Sequence, residues 1–287
     1  MAASRDFDVP FSGANALNNQ RLHCHPSAEC LLLPCLNSPE NPKGSIPHVP
    51  GEPDIDLKAN EVHKFLIREL DNPILDELCP RLERFYRNSG SNIDPLHRQI
   101  MIGRQVVLTE DPKFHLVWCH NKIYLKPIPI CLFNYYFWAQ YLSSIKPSMS
   151  ATSNAENGID GPGAEYFDRG IALGFLRSYA FLIQHHSDLI LARKYHLVPD
   201  NIEWIKWSAF ISKIRRIEDA QVAKWYSYGQ LCRWHLILAS PIFWPQSRAT
   251  AYWSPDSWIQ WVKGAWVFVF SVISIVLSYM QVALAYR

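Results

Sequence analysis

Apolar positions recur along this chain with two periods, three to four residues in some stretches and two in others, and the switches between them mark out its elements. From Ala59 the stretch ANEVHKFLIREL sets Val62, Phe65, Leu66 and Leu70 on one helical face. A second short helix is expected over PILDELCPRLERFY, kinked or broken at Pro80. The pattern then changes in RQIMIGRQVVLTEDPKFHLVWCHNKIYLKPIPI, where β-branched and aromatic runs are separated by turn residues. EDPK at 110–113 and HNK at 120–122 read as the two turns of a three-stranded antiparallel meander, with strands near 104–109, 114–119 and 122–126.

Helical spacing returns in NYYFWAQYL, and 146–163 reads as a flexible loop. Ala164 to about His196 reads as one long helix or a broken pair. Two more helices fit NIEWIKWSAFISKI and EDAQVAKWYSYGQLCRWHLILA, the second stopped by Pro241 and Pro245. The fold class expected is α+β, a small antiparallel meander packed with several helices in a body from 59 to 262. The segment 128–142, IPICLFNYYFWAQYL, packs in the core on one reading and dips into a membrane surface on another; it is too short to cross.

The last pattern has no polar face to alternate with. Gly264 to Tyr286 is a run of 23 residues without a charge. As a helix it would measure roughly 34 Å, enough for a hydrocarbon core of about 30 Å. One C-terminal transmembrane helix is therefore expected at 264–286. Trp253, Trp258, Trp261, Lys263 and Trp266 at its entry, and Arg287 beyond it, have the makeup of membrane-interface anchors. Basic residues before the run, among them Lys213, Arg215, Arg216, Lys224, Arg233, Arg248 and Lys263, outnumber the single Arg287 after it, which places the body in the cytosol. A span so near the end would insert after translation, as a tail anchor. Ser271, Ser274, Ser278 and Gln281 form a helix-packing stripe for a membrane-helix partner or for self-association, or else face lipid as incidental small residues.

At the other end, residues 1–58 carry 8 of the 20 prolines and few aromatics, a composition expected to stay disordered. No apolar signal sequence opens the chain, and Ala2 stands where myristoylation needs glycine. The formal net charge of +2 is too small to imply a nucleic-acid partner. Nine of the 11 tryptophans fall between Trp204 and Trp266, a residue type that favours surfaces with one apolar and one wet side. Seven cysteines in no regular framework read as reduced thiols.

Candidate chemistry is sparse. His23, Cys24, His25, Cys30 and Cys35 lie close in sequence but lack the paired spacing of a structural zinc site, so no metal and no cofactor is expected. His185, His186 and Asp188 in LIQHHSDLIL could hold a metal or a proton, or form a polar junction between helices. Arg177, set in the apolar GFLRSYAFLI, needs a carboxylate, such as Glu165 or one from the N-terminal helices, or else an anionic ligand or lipid headgroup. No GxSxG elbow, HExxH, Walker loop or GxGxxG is present, and no catalytic residue is assigned.

With PLHRQIMIGRQVVLTEDPKFHLVWCHNKIYLKPIPICLFNYYFWAQYL, then GFLRSYAFLIQHHSDLILARKYHLVP and the Trp-rich run into the last helix, the chain resembles an uncharacterised fungal membrane-protein family of unknown function. The likeness covers Ala59 to the end. It implies a membrane location and no established activity. Relatives are sometimes labelled subtilisin-like proteases, but no Gly-Thr-Ser block of that kind occurs here. Members often carry a second span after the first, whereas this sequence reaches Arg287 with one.

The function expected is a scaffold or adaptor, single-pass in an intracellular membrane, with the lipid bilayer as partner and a cytosolic body. The alternative is a membrane-tethered enzyme or a lipid- or anion-binding module using Arg177 and the cluster of His185, His186 and Asp188.

Overall fold

The structure, a computed structural model, describes residues 9–22, 46–83, 89–142, 167–233, 236 and 255–285. The chain forms two compact units, Met1–Ala239 and Ser240–Arg287. Among the described residues there are eight α-helices and two small sheets, which is an α+β architecture.

The first unit opens with segments that the sequence pattern left unstructured. Phe11 is buried, its ring 4.6 Å from that of Phe210 and 6.1 Å from that of Trp138. β1 (His48–Val49) and β2 (Glu52–Asp56) pair as a hairpin turned at Gly51, whose φ of 95° suits a residue without Cβ. A few apolar anchors, Phe11, Leu22, Val49 and Leu57, tie these stretches down despite the surrounding prolines. Residues 23–45 of the segment expected to be disordered lie outside the described residues, as does the predicted loop at 146–163.

α1 (Ala59–Leu70) buries the face predicted for it, Val62, Phe65, Leu66 and Leu70. α2 (Pro73–Leu82) starts at Asn72, whose side chain accepts the N–H of Leu75 at 3.1 Å, with Pro73 at the first helical position. It runs through Pro80 and ends two residues later, because a proline in the last turn deletes little of the hydrogen-bond ladder. α3 (Leu96–Met101) is a short helix that the apolar pattern did not indicate.

The sheet corrects the expected meander. β3 (Gln105–Leu108), β4 (Val117–Cys119), β5 (Lys122–Leu125) and β6 (Leu231–Cys232) lie in the order β3-β5-β4-β6. β3 runs parallel to β5, β4 antiparallel to β5, and β4 parallel to β6. The second predicted turn is a true hairpin, with His120 at φ 52°. The first is not: Asp111 caps a 3-10 turn at Pro112–Phe114 by accepting the N–H of Lys113 at 3.0 Å. That turn carries the chain across to the far side of β5, so β3 and β4 never meet.

After a 3-10 turn at Ile130–Phe133, α4 (Tyr135–Tyr141) is capped by Asn134. Ile128, Cys131, Leu132, Phe133, Phe137, Trp138 and Ala139 are all buried, so 128–142 is core. The long helical stretch that follows is a broken pair, α5 (Arg169–Leu182) and α6 (His186–Lys194). α5 is the central helix, with every residue but Arg169 and Phe181 buried. It packs on α7 (Trp204–Ile214) and on α1.

The helix predicted over EDAQVAKWYSYGQLCRWHLILA does not form over 218–232; Arg233 and Leu236 are helical. That stretch holds 3-10 turns at Asp219–Gln221 and Lys224–Tyr228, followed by β6. Gly229 adopts φ 69° against the backbone of Asn92, and Leu231 N–H donates to Leu116 O at 3.0 Å. Tertiary pairing with β4 outweighs the helical spacing here.

The second unit contains α8 (Pro255–Ala285), 31 residues long. Its described side chains, 266–281, are all exposed. Among the described residues no helix is long and apolar enough to cross a membrane.

Candidate functional site

Three polar constellations are set into the first unit, and each begins with a charge or ring placed where the fold must satisfy it. The first joins α3 to α6. Asp188, at the third position of α6, is completely buried. Its Oδ2 accepts the N–H of His185 at 2.9 Å and that of Gln184 at 3.1 Å, satisfying the free donors of the helix start. Its Oδ1 accepts the N–H of His97 at 2.8 Å and lies 2.7 Å from His97 Nδ1. One carboxylate thus ties two helix N-termini together. The His185 ring stands edge-on to that of His97, with centroids 5.4 Å apart. His186 is exposed and faces another way, against Trp204 at 6.1 Å.

Because a carboxylate oxygen accepts, the proton of this contact sits on His97 Nδ1, and Nε2 lies on the opposite side of the ring. The His97 side chain is 36% exposed, and its Nε2 has no hydrogen-bond partner among the described residues. His97 belongs to this cluster and was not foreseen in the sequence. Nothing in local spacing links it to a carboxylate far along the chain.

The second constellation holds Arg177. Its Nη1 donates to Asp219 Oδ1 at 2.5 Å, and its guanidinium stacks 5.5 Å from the centre of Phe181. The pair is packed against Gly90, where an added Cβ would lie 2.4 Å from Asp219 Oδ1. Arg177 Nε is buried without a partner. The carboxylate is Asp219, whereas Glu165, the example considered from sequence, lies outside the described residues. An external anion at Arg177 would have to displace or share Asp219.

The third constellation sits under the sheet. Lys126 N–H donates to His115 Nδ1 at 3.2 Å, so the ring proton is on Nε2, which donates to Ser178 Oγ at 2.8 Å. Ser178 Oγ in turn donates to the Phe175 carbonyl at 2.6 Å. This direction of bonding is the reverse of a serine nucleophile with its histidine base, in which the ring accepts the hydroxyl proton. Burial, helped by the charge of Lys126, lowers the His115 pKa to about 3. Lys126 itself is buried; its Nζ reaches Glu69 Oε2 at 2.7 Å and Glu110 Oε2 at 3.3 Å.

Two cavities lie elsewhere. One of about 500 Å³ is bordered by Pro10, Asp168, Arg169, Leu173 and Gln221. The other, about 400 Å³, lies between α1 and α4, with His63, Gln140, Tyr141 and Phe167 in its wall. Neither is lined by Arg177, His185, His186 or Asp188. Among the described residues no group of three or more His, Cys, Asp or Glu is arranged to hold a metal ion. His23, Cys24, His25, Cys30 and Cys35 lie outside the described residues.

On α8, Trp266 is 69% exposed, and Ser271, Ser274, Ser278 and Gln281 are exposed as well. Ser271 and Ser274 turn their hydroxyls back to the carbonyls of Val267 and Phe270, each at 2.8 Å, which removes two donors from the outer surface of the helix. Trp253 and Arg287 lie outside the described residues, as do the side chains of Trp258, Trp261 and Lys263.

The profile of a family described as "Family of unknown function (DUF6601)" matches residues 62–287. No curated protein and no solved structure matches the chain.

Proposed function

Because the chain belongs to that family of unknown function, we propose, from its own chemistry, that it is a single-pass membrane protein whose body serves as a cytosolic scaffold or adaptor. The observation that supports this reading is the surface of α8. Phe268, Phe270, Ile275 and Tyr279 are 71%, 73%, 69% and 76% exposed, within a run that carries no charge. An uncharged helix that exposes large apolar side chains needs cover, and a bilayer would supply it. In this reading 264–286 lies in the hydrocarbon, and Trp253, Trp258, Trp261, Lys263, Trp266 and Arg287 mark its two boundaries. Ser271, Ser274, Ser278 and Gln281 then offer a contact stripe to a second helix or to another copy of the chain. The family character implied by the sequence resemblance, fungal and membrane-bound, belongs to this same reading.

The test is extraction and protease protection of the full chain, tagged at both ends, in sealed microsomes. Resistance to carbonate, release by detergent, digestion of the N-terminal tag and protection of the C-terminal tag are the expected results. Release by carbonate would overturn the anchor, and protection of the N-terminal tag would reverse the orientation.

A further inference from the structure

The junction of α3 and α6 has a geometry that its structural role does not use up. Asp188 already serves four donors, so it has no capacity left to bind an ion directly. What it does is hold His97 by Nδ1 and His185 by its backbone, each within 2.9 Å of a carboxylate oxygen. A histidine whose Nδ1–H is fixed by a carboxylate, with Nε2 unspent, is the arrangement of a metal ligand with its outer-sphere partner.

The spacing of the two rings matches a shared ion. With a metal–nitrogen distance of about 2.0–2.1 Å, an imidazole centre lies roughly 3.2 Å from the ion, and two rings at a tetrahedral angle stand roughly 5.2 Å apart. The observed separation is 5.4 Å, with the planes inclined at 63°. His185 is exposed and His97 is 36% exposed, so an ion can arrive from solvent and keep water in its remaining positions.

We propose that His97 and His185 bind a divalent transition-metal ion, with Asp188 as the carboxylate that fixes the His97 ring and the backbone of His185. The site takes borderline-soft ions that favour imidazole, such as zinc, over magnesium or calcium, which prefer oxygen. It is independent of the membrane reading, since both histidines belong to the first unit.

Zinc titration by calorimetry on the detergent-solubilised full chain, free of tag histidines, tests the proposal. The chain has 11 histidines, so the comparison with variants identifies the site. The expected result is a zinc-binding event that weakens by about tenfold or more in His185→Asn and again in His97→Gln, with magnesium giving no heat. His185→Asn should fold normally, because asparagine at least equals histidine as an N-cap on an exposed position. Asp188→Asn should weaken binding by about 10–100-fold in whatever fraction remains folded. Unchanged zinc affinity and stoichiometry in the His97→Gln/His185→Asn double variant would overturn the site, as would the absence of binding to the unaltered chain.

Discussion

Lys126 Nζ lies 2.7 Å from Glu69 Oε2, and this ion pair fastens the C-terminal end of α1 to the end of β5. The lysine side chain is 2% exposed and the glutamate 22%. Removing the glutamate leaves a buried ammonium to Glu110, whose side chain is 83% exposed, whereas removing the ammonium leaves a carboxylate that water can reach. Glu69→Ala should therefore cost about 3 kcal/mol in urea-monitored unfolding. Lys126→Met should cost clearly less, and the reverse order would mean that the Glu110 contacts carry the lysine.

His115 predicts an acid limb. Its folded pKa is lowered to about 3, below the ordinary histidine value, because burial and then the Lys126 charge disfavour the imidazolium. The unfolded chain therefore takes up this proton first, and stability falls as pH drops from about 6.5 toward 3, by up to about 1.4 kcal/mol per pH unit. Above that window the group contributes no slope. His115→Phe should flatten the dependence between pH 6 and 4, as read from urea midpoints across that range.

Gly174 and Gly103 make opposite demands on the backbone. A Cβ at Gly174 would fall 2.2 Å from a ring carbon of the buried Tyr226, so Gly174→Ala should destabilise by about 3 kcal/mol through overpacking. Gly103 has φ 79° and open space around it, so Gly103→Ala should cost only about 1 kcal/mol, the backbone penalty alone. Thermal melts of the two variants separate these mechanisms.

Asp219 gives a comparable test of the Arg177 pair. Asp219→Ala leaves a largely buried guanidinium without its carboxylate, at about 2 kcal/mol or more. If added phosphate raises the melting temperature of this variant and not that of the unaltered chain, the site accepts an external anion only once its own is gone.

Charge placed in α8 tests the anchor. Ile273→Arg should cut carbonate-resistant membrane association, since an arginine at mid-span costs about 3 kcal/mol of insertion. Ser271→Ala should leave that association intact, because its hydroxyl is already spent on Val267.

What was legible in the sequence follows from how local each determinant is. The buried face of α1 reads directly from the spacing of Val62, Phe65, Leu66 and Leu70. The β4–β5 hairpin reads from HNK, because a tight turn is a property of adjacent residues. β3 was placed nearly to the residue and paired with the wrong neighbour, since strand order depends on the path that Asp111 and Pro112 give the chain. The same limit governs the polar sites. His185 and Asp188 were recognisable as neighbours on a helix start, while His97 and Asp219 enter only through contacts made far along the chain. Tyr226 to Cys232 carries helical spacing, yet its end, Leu231–Cys232, pairs with β4, and Gly229 fits backbone to backbone against Asn92.

The position of β6 has a consequence for biosynthesis. Among the described residues, Val117 and Trp118 find their outer partners in Leu231 and Cys232. A chain made from its N-terminus can form the β4–β5 hairpin and add β3 early, but the outer edge of β4 stays open until residue 231 has left the ribosome. An open edge beside Phe114 and Leu116 is a template for another nascent copy. Newly made chains stalled or truncated before residue 231 should therefore need a chaperone that masks a strand edge, even though most of their helices are already in place.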